Sequence, residues 1–342
     1  MNKRPRLKSH AQPLRRGPGS LQLGLCPDRG VVLDGLSEAE IAVTESLDGS
    51  RDLPALYAVA TAAGVPADRV RTLLATLDEH QLLLDTDTDR TWLRPVDEPR
   101  RHLLRPEATA MAISAAYDLP GDGIDYVAAR SRQRVVINGE GDLPSALADL
   151  LRVGGIGQVG VGANAGDAVD LELRGLRSSQ PRSSFGPITD LPQRPDLVVL
   201  VAMGAIHPDA GEPWLRRGIP HLPVVVQNHR VQIGPLISRD AGPGLACMDL
   251  HRRDKDAAWP LLRSQLAPAW PLRPDAPVNL ESALTSLTIG AAAMIVHACL
   301  DGQPVPGDLS LELSLPWPAI LCRRWFRNPL CGCMAEHATM AG

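Results

Sequence analysis

The residues with the most chemical promise surround a glycine turn. Arg134, Val135, Val136 and Ile137 read as a short buried strand, and Asn138, Gly139, Glu140, Gly141, Asp142, Leu143 and Pro144 follow. Strand, glycine turn and a helix carrying Leu147, Leu150 and Leu151 make the first unit of a nucleotide-binding α/β sheet. Such a turn works by bringing backbone N–H groups and the positive end of a helix to a phosphate. Gly139 and Gly141 are therefore the candidate ATP contacts. Pro144 stands where the third glycine of G-x-G-x-x-G belongs, removing an N–H and filling the space that close approach would use. The damaged loop argues for scaffold use of the fold over ATP chemistry. No nucleophile–base–acid order or carboxylate pair stands out, so no hydrolytic site is expected. His221, ahead of a strand, reads as a structural residue.

A second candidate site lies in residues 19–95, which read as one compact unit. Leu21 and Leu23 alternate with polar partners, and Gly30 to Asp34 closes a second short strand, so a hairpin opens the unit. Ser37 and Glu40 form a capping box, and Asp52 with Pro54 starts a second helix. Val70, Leu73, Leu74 and Leu77 fall on one face of a third. Leu82 to Leu84 is a strand, with Thr91 to Leu93 as its return. This is the order of a winged helix-turn-helix. A DNA-reading third helix needs basic and amide side chains. Here Asp68, Arg69, Arg71, Thr76, Asp78 and Glu79 are close to charge balance, which disfavours nucleic acid. A peptide reader would instead add an extended segment to the edge strand at Val31, Val32 and Leu33 and hold it beside Arg69, Arg71 and Thr72. A purely dimerising role for the unit stays open.

The rest of the chain frames these sites. With 342 residues, 44% of them hydrophobic, and a net charge of -4, two globular domains are expected and no global basic field draws the protein to nucleic acid or anionic lipid. Residues 1–18 read as a flexible basic tail. No apolar core follows its lysines and arginines, so no signal peptide is expected. Thr86 to Glu107 is charged and proline-bearing, and residues 96–132 read as a linker with helices over Ala108 to Tyr117 and Ile124 to Ser131. Residues 133–342 are the second domain. Strands are expected at Gln158 to Val161, Asp196 to Ala202, Val224 to Gln227, Val231 to Leu236, Leu309 to Leu315 and Ile320 to Phe326. Leu280 to Leu300, capped by Asn279, is polar enough to read as a buried helix in place of a membrane span. Six scattered cysteines make no disulfide framework; Cys299 reads as a buried apolar helix residue and Cys26 as a hairpin residue, and a reducing, cytoplasmic setting is expected.

Three stretches carry a resemblance: His221-Leu222-Pro223-Val224-Val225, Gly234-Pro235-Leu236, and Cys247-Met248-Asp249-Leu250-His251-Arg252, with Cys331-Gly332-Cys333 at the close. In this order they resemble the ThiF/E1-like leader-peptide-binding partner proteins of azole-forming (thiazole/oxazole-modified) peptide biosynthesis. Leu33-Asp34-Gly35-Leu36, with Leu47-Asp48-Gly49-Ser50 fourteen residues on, resembles the PqqD-like element that binds leader peptides. The resemblance implies a Rossmann-like E1/ThiF-type parallel-sheet domain behind the winged one. It implies a precursor-peptide leader and a YcaO-type cyclodehydratase as partners, and it is compatible with a homodimer. In the adenylating relatives the second strand ends in acidic residues and an Asn-Arg-Gln segment follows. Here Gly162, Ala163 and Asn164 and an arginine- and serine-rich loop through Phe185 stand in their place. The resemblance also implies a structural zinc held by Cys247, Cys331 and Cys333. The fourth ligand position is Gly244, so zinc and degeneration both stay open, with Cys322, His251 and His337 as substitutes. Asp249, His251, Arg252 and Arg253 read equally as a partner contact and as a solvated helix face.

Overall fold

The computed structural model describes residues 4–25, 30–85, 98–113, 123–162, 194–239, 242–266, 280–317 and 319–331. The chain divides into two compact units, Met1–Ala129 and Arg130–Gly342.

The first unit contains β1 (Pro5–Leu7), β2 (Pro13–Gly17), β3 (Ser20–Leu23), β4 (Val31–Asp34), α1 (Glu38–Glu45), α2 (Leu53–Ala62), α3 (Ala67–Glu79), β5 (Leu83–Asp85) and α4 (Glu98–Ile113), and α5 (Ile124–Arg130) ends on the first residue of the second. Helix starts follow the sequence: Ser37 and Glu40 complete the capping box and the Asp52 side chain accepts the Ala55 amide. Val70, Leu73, Leu74 and Leu77 point into a core shared with Leu21, Leu23, Ile41 and Leu56. The basic N-terminal stretch is no tail. Its β1 pairs antiparallel with β5 and its β2 with β3, and Leu7 and Ala11 are buried. β5 thus finds its partner about eighty residues earlier; the expected return at Thr91 to Leu93 lies outside the described residues. The segment expected as linker is helical from Glu98, ten residues ahead of the expected start, with Pro106 inside the helix.

The second unit is built on a seven-stranded sheet in the order β12-β11-β10-β9-β8-β6-β7. Its strands are β6 (Arg134–Asn138), β7 (Gln158–Gly162), β8 (Leu197–Met203), β9 (His221–Gln227), β10 (Arg230–Ile233), β11 (Leu309–Ser314) and β12 (Ala319–Arg324). β7, β6, β8 and β9 run parallel; β10, β11 and β12 continue antiparallel. The sheet is therefore mixed, with four of its seven strands in the expected parallel arrangement. β8 explains its own unbroken apolar run. Val199 and Val201 face a core formed with α6 (Asp142–Val153) and α10 (Ser282–Leu300), while Val198, Leu200 and Ala202 face the other core. Both faces of a central strand are covered, so no alternation survives.

The second face is covered by a 3-10 turn (Pro208–Gly211), α7 (Glu212–Arg216) and α8 (Leu245–Lys255), with α9 (Trp259–Leu266) following. α10 is long and apolar enough to cross a membrane by length and composition, but its Leu284, Ile289, Ala292, Ala293 and Val296 pack into the sheet core. Glu281 caps it, accepting the Ala283 and Leu284 amides; Asn279 lies outside the described residues. At the unit's beginning Arg130 donates from Nε and a terminal nitrogen to the two Asp301 carboxylate oxygens at 2.8 and 2.6 Å, and to the Gly154 carbonyl at 2.8 Å. Both side chains are almost fully buried, at 3% and 2% exposure.

Candidate functional site

β4 is the last strand of a three-stranded sheet, bonded to β3 along one edge. Among the described residues its other edge has no strand partner. Val31 and Leu33 lean on the core while Val32, 40% exposed, points outward. An extended polypeptide laid there would find backbone donors and acceptors at every second residue. The α3 candidates behave differently. Arg69 donates to the Glu40 carboxylate at 2.8 Å, locking α3 to α1. Thr72 donates its hydroxyl to the Asp68 carbonyl at 3.0 Å, and Arg71 stands exposed. Burial pushes the Glu40 carboxyl upward, but the Ser37 amide, Arg69 and the Ser37 hydroxyl outweigh it and hold the group below its ordinary pKa. Of the six candidates, then, three form the open strand edge, Arg69 serves as a helix clasp, Thr72 bonds its own helix, and Arg71 is exposed on α3.

The glycine turn sits where the strand order reverses, between β6 and β8, the place at which open α/β sheets bind ligands. Here it is packed. Gly139 donates its N–H to the Gly162 carbonyl at 3.2 Å, and a Cβ on Gly139 would lie 2.9 Å from Val201 Cβ and 3.3 Å from Pro144 Cγ. Gly139 is thus required by close packing of the turn against β8, and its donor is already spent. Pro144 is buried in the first turn of α6, and Asp142 puts a carboxylate at that helix start, where it competes with any anion for the positive end. Gly141, at φ 108°, caps the helix without a side-chain bond.

The C-terminal segment closes onto α8. Asn328 donates its backbone N–H to Cys247 Sγ at 3.4 Å and its side-chain amide to Asp254 at 2.9 Å. Cys247 and Cys331 are both buried, and the Cys331 amide bonds the Asn328 carbonyl at 2.9 Å. Cys333 and His337 lie outside the described residues. Gly244 caps α8, and a Cβ there would meet nothing within 4 Å. Among the described residues no group of three metal-binding side chains is assembled.

His221 opens β9 in full burial, against Gly211 and without a hydrogen bond to either ring nitrogen. Burial pulls its pKa down to about 4, only partly offset by the Ile219 backbone. It is a neutral core residue, as the sequence suggested, with the Ile219 backbone near the ring but not placed for a well-formed hydrogen bond.

Asp249 to Arg253 are not a plain solvated face. Arg252 donates to Gln232 Oε1 at 2.7 Å, and its guanidinium stands over two indoles, 5.3 Å from Trp259 and 5.6 Å from Trp325. Arg323 stacks on Trp325 at 4.4 Å. Sequence reasoning missed Trp259, Trp325 and Arg323; the one available signal was the seven-residue spacing of Arg252 and Trp259, two helical turns that a helix break at Asp256 made hard to read.

No protein-family profile matches the sequence, and no curated protein matches it in sequence. Solved structures match in fold. A heterocyclase determined with substrate and cofactor aligns with TM-score 0.62 at 15% identity, over 97% of this chain and 39% of that one. The chain thus spans about two fifths of the heterocyclase's length. E. coli MccB, determined with SeMet MccA, aligns with TM-score 0.57 at 16% identity, over 97% of this chain and 99% of MccB. PaaA aligns with TM-score 0.61 at 12% identity, over 94% and 100%. At these identities the likeness is one of fold.

Proposed function

We propose that the protein is a leader-peptide-binding scaffold: it captures a ribosomally made precursor peptide and presents it to a separate YcaO-type cyclodehydratase that forms azoline and azole rings. The observation that carries this reading is the open edge of β4, a place where an unfolded segment gains main-chain hydrogen bonds whatever its sequence. The PqqD-like run at Leu33 to Leu36, which contains the end of that strand, supports it. So does the fold likeness to a heterocyclase solved with its substrate and to MccB solved with MccA. The packed glycine turn supports a platform role for the second unit, which contributes proximity by raising the local concentration of substrate at the partner's site. In this reading the thiolates of Cys247, Cys331 and Cys333 would hold a structural zinc, fastening the tail to α8, with the position of Gly244 left to another donor.

The test is a fluorescence-anisotropy titration of the full chain with labelled leader segments of candidate precursors, alongside a pull-down of the cyclodehydratase. Saturable binding that competes with unlabelled leader is expected; indifference to every candidate refutes capture. A second reading, an ATP-dependent ThiF/MoeB-like adenylyltransferase, is favoured by the likeness to MccB, which has also been solved with ATP. Clear thermal stabilisation by Mg-ATP would establish that reading over the scaffold.

A further inference from the structure

Arg252 is a cation that the fold has enclosed without pairing. Its carboxylate neighbours are committed elsewhere: Asp249 accepts from Trp259 Nε1 at 2.7 Å and faces Arg263 at 3.4 Å, while Glu312 pairs with Arg323 at 3.0 Å. Arg252 keeps one neutral hydrogen bond, to Gln232, and no carboxylate within ion-pair distance among the described residues. A largely enclosed cation in this state is costly unless an anion joins it. Burial is the main influence on the group, drawing its pKa below the ordinary arginine value, and Arg323 adds to that while Asp249 and Glu312 oppose it.

The stacking decides how an anion would approach. Trp259 and Trp325 stand over the guanidinium, so an anion would reach the donors not used by Gln232 along the guanidinium plane. In-plane approach to an arginine fork suits a planar carboxylate, which accepts two parallel N–H bonds. The indoles exclude water from such a pair and hold the fork in one orientation, since Trp259 Nε1 is fixed by Asp249 and Trp325 Nε1 by Ser310 at 2.9 Å. Arg323, on Trp325, is already paired with Glu312, so the slot depends on the Arg252 fork. We infer that Arg252, set between Trp259 and Trp325, is a carboxylate-binding slot for an acidic side chain of a bound polypeptide. It stands independently of peptide capture at β4, being confined to the second unit.

The two indole N–H groups are built-in reporters. The full chain, labelled with 15N, is titrated with a blocked glutamate dipeptide, its glutamine counterpart and inorganic phosphate, the indole resonances being assigned through Trp259→Phe and Trp325→Phe. The expected result is a saturable shift of both resonances by the glutamate dipeptide alone, abolished in Arg252→Gln and weakened in Arg252→Lys. If Arg252→Gln does not fold, Arg252→Lys carries the comparison, because it keeps the charge and loses the fork. Equal response to the glutamine dipeptide, stronger response to phosphate, or an unchanged response in Arg252→Lys would each overturn the assignment.

Discussion

Replacing His221 with leucine should remove a specific acid sensitivity from the second unit. The ring is fully buried with no well-formed hydrogen bond, and burial, only partly opposed by the Ile219 backbone, draws its pKa from 6.5 to about 4 in the fold. Below its ordinary pKa the unfolded chain takes up a proton that the folded chain refuses. Stability therefore rises with pH across this window: the penalty is absent above about 6.5, grows as the pH falls and is complete below about 4. The linkage relation gives a loss on the order of 2 kcal/mol at pH 5 and roughly 3 kcal/mol at pH 4. Carboxylates held low by partners, such as Glu281 by the Ala283 and Leu284 amides, lose stability on acidification too, but they are common to both proteins and cancel in the difference. Chemical denaturation followed by tryptophan fluorescence, Trp214 lying in the core beside α8, is measured at pH 7 and pH 5 for wild type and His221→Leu. The wild type should lose about 2 kcal/mol more than the variant over that interval. Equal losses would mean that His221 charges in the folded state or is not enclosed, and the reasoning would fall.

Asp301→Asn removes the carboxylate that neutralises the buried Arg130 and should cost about 3–5 kcal/mol, read as a lowered melting temperature; pairing it with Arg130→Met should recover much of the loss. Glu40→Ala removes both the capping-box partner of Ser37 and the anchor of Arg69, for an expected loss of about 1–3 kcal/mol at neutral pH, measured by thermal melting of the full chain. Gly244→Cys adds a thiol in open space at an unstrained φ of -80°. It should fold normally and raise zinc uptake per chain by metal analysis; unchanged uptake would count against a metal role for Cys247.

Sequence legibility followed the range of the interactions involved. Periodicity and caps are local, so α3, the Ser37 box, the Asp52 cap and all seven strands of the large sheet were readable. What escaped depends on distant partners. β1 is recognisable only once Leu83 to Asp85 lies beside it, and prolines and arginines alone read as a tail. Arg69 looked ligand-facing because helical spacing gives its direction, not the acid waiting 29 residues earlier. The stack around Arg252 joins residues separated by up to 73 positions, and no pattern within α8 announces Trp325. At the glycine turn the departure, Pro144, was plain in the sequence; the packing of Val201 that makes Gly139 necessary was not.

The clamp between Arg130 and Asp301 also dictates where the molecule can be divided. The obvious scissor point, just ahead of the first strand at Arg134, would discard Arg130 and abandon a carboxylate in the interior with nothing to neutralise it. A fragment intended to stand alone should begin upstream of Arg130; one trimmed four residues further would carry its own defect, and its instability would wrongly be charged to the loss of the N-terminal unit.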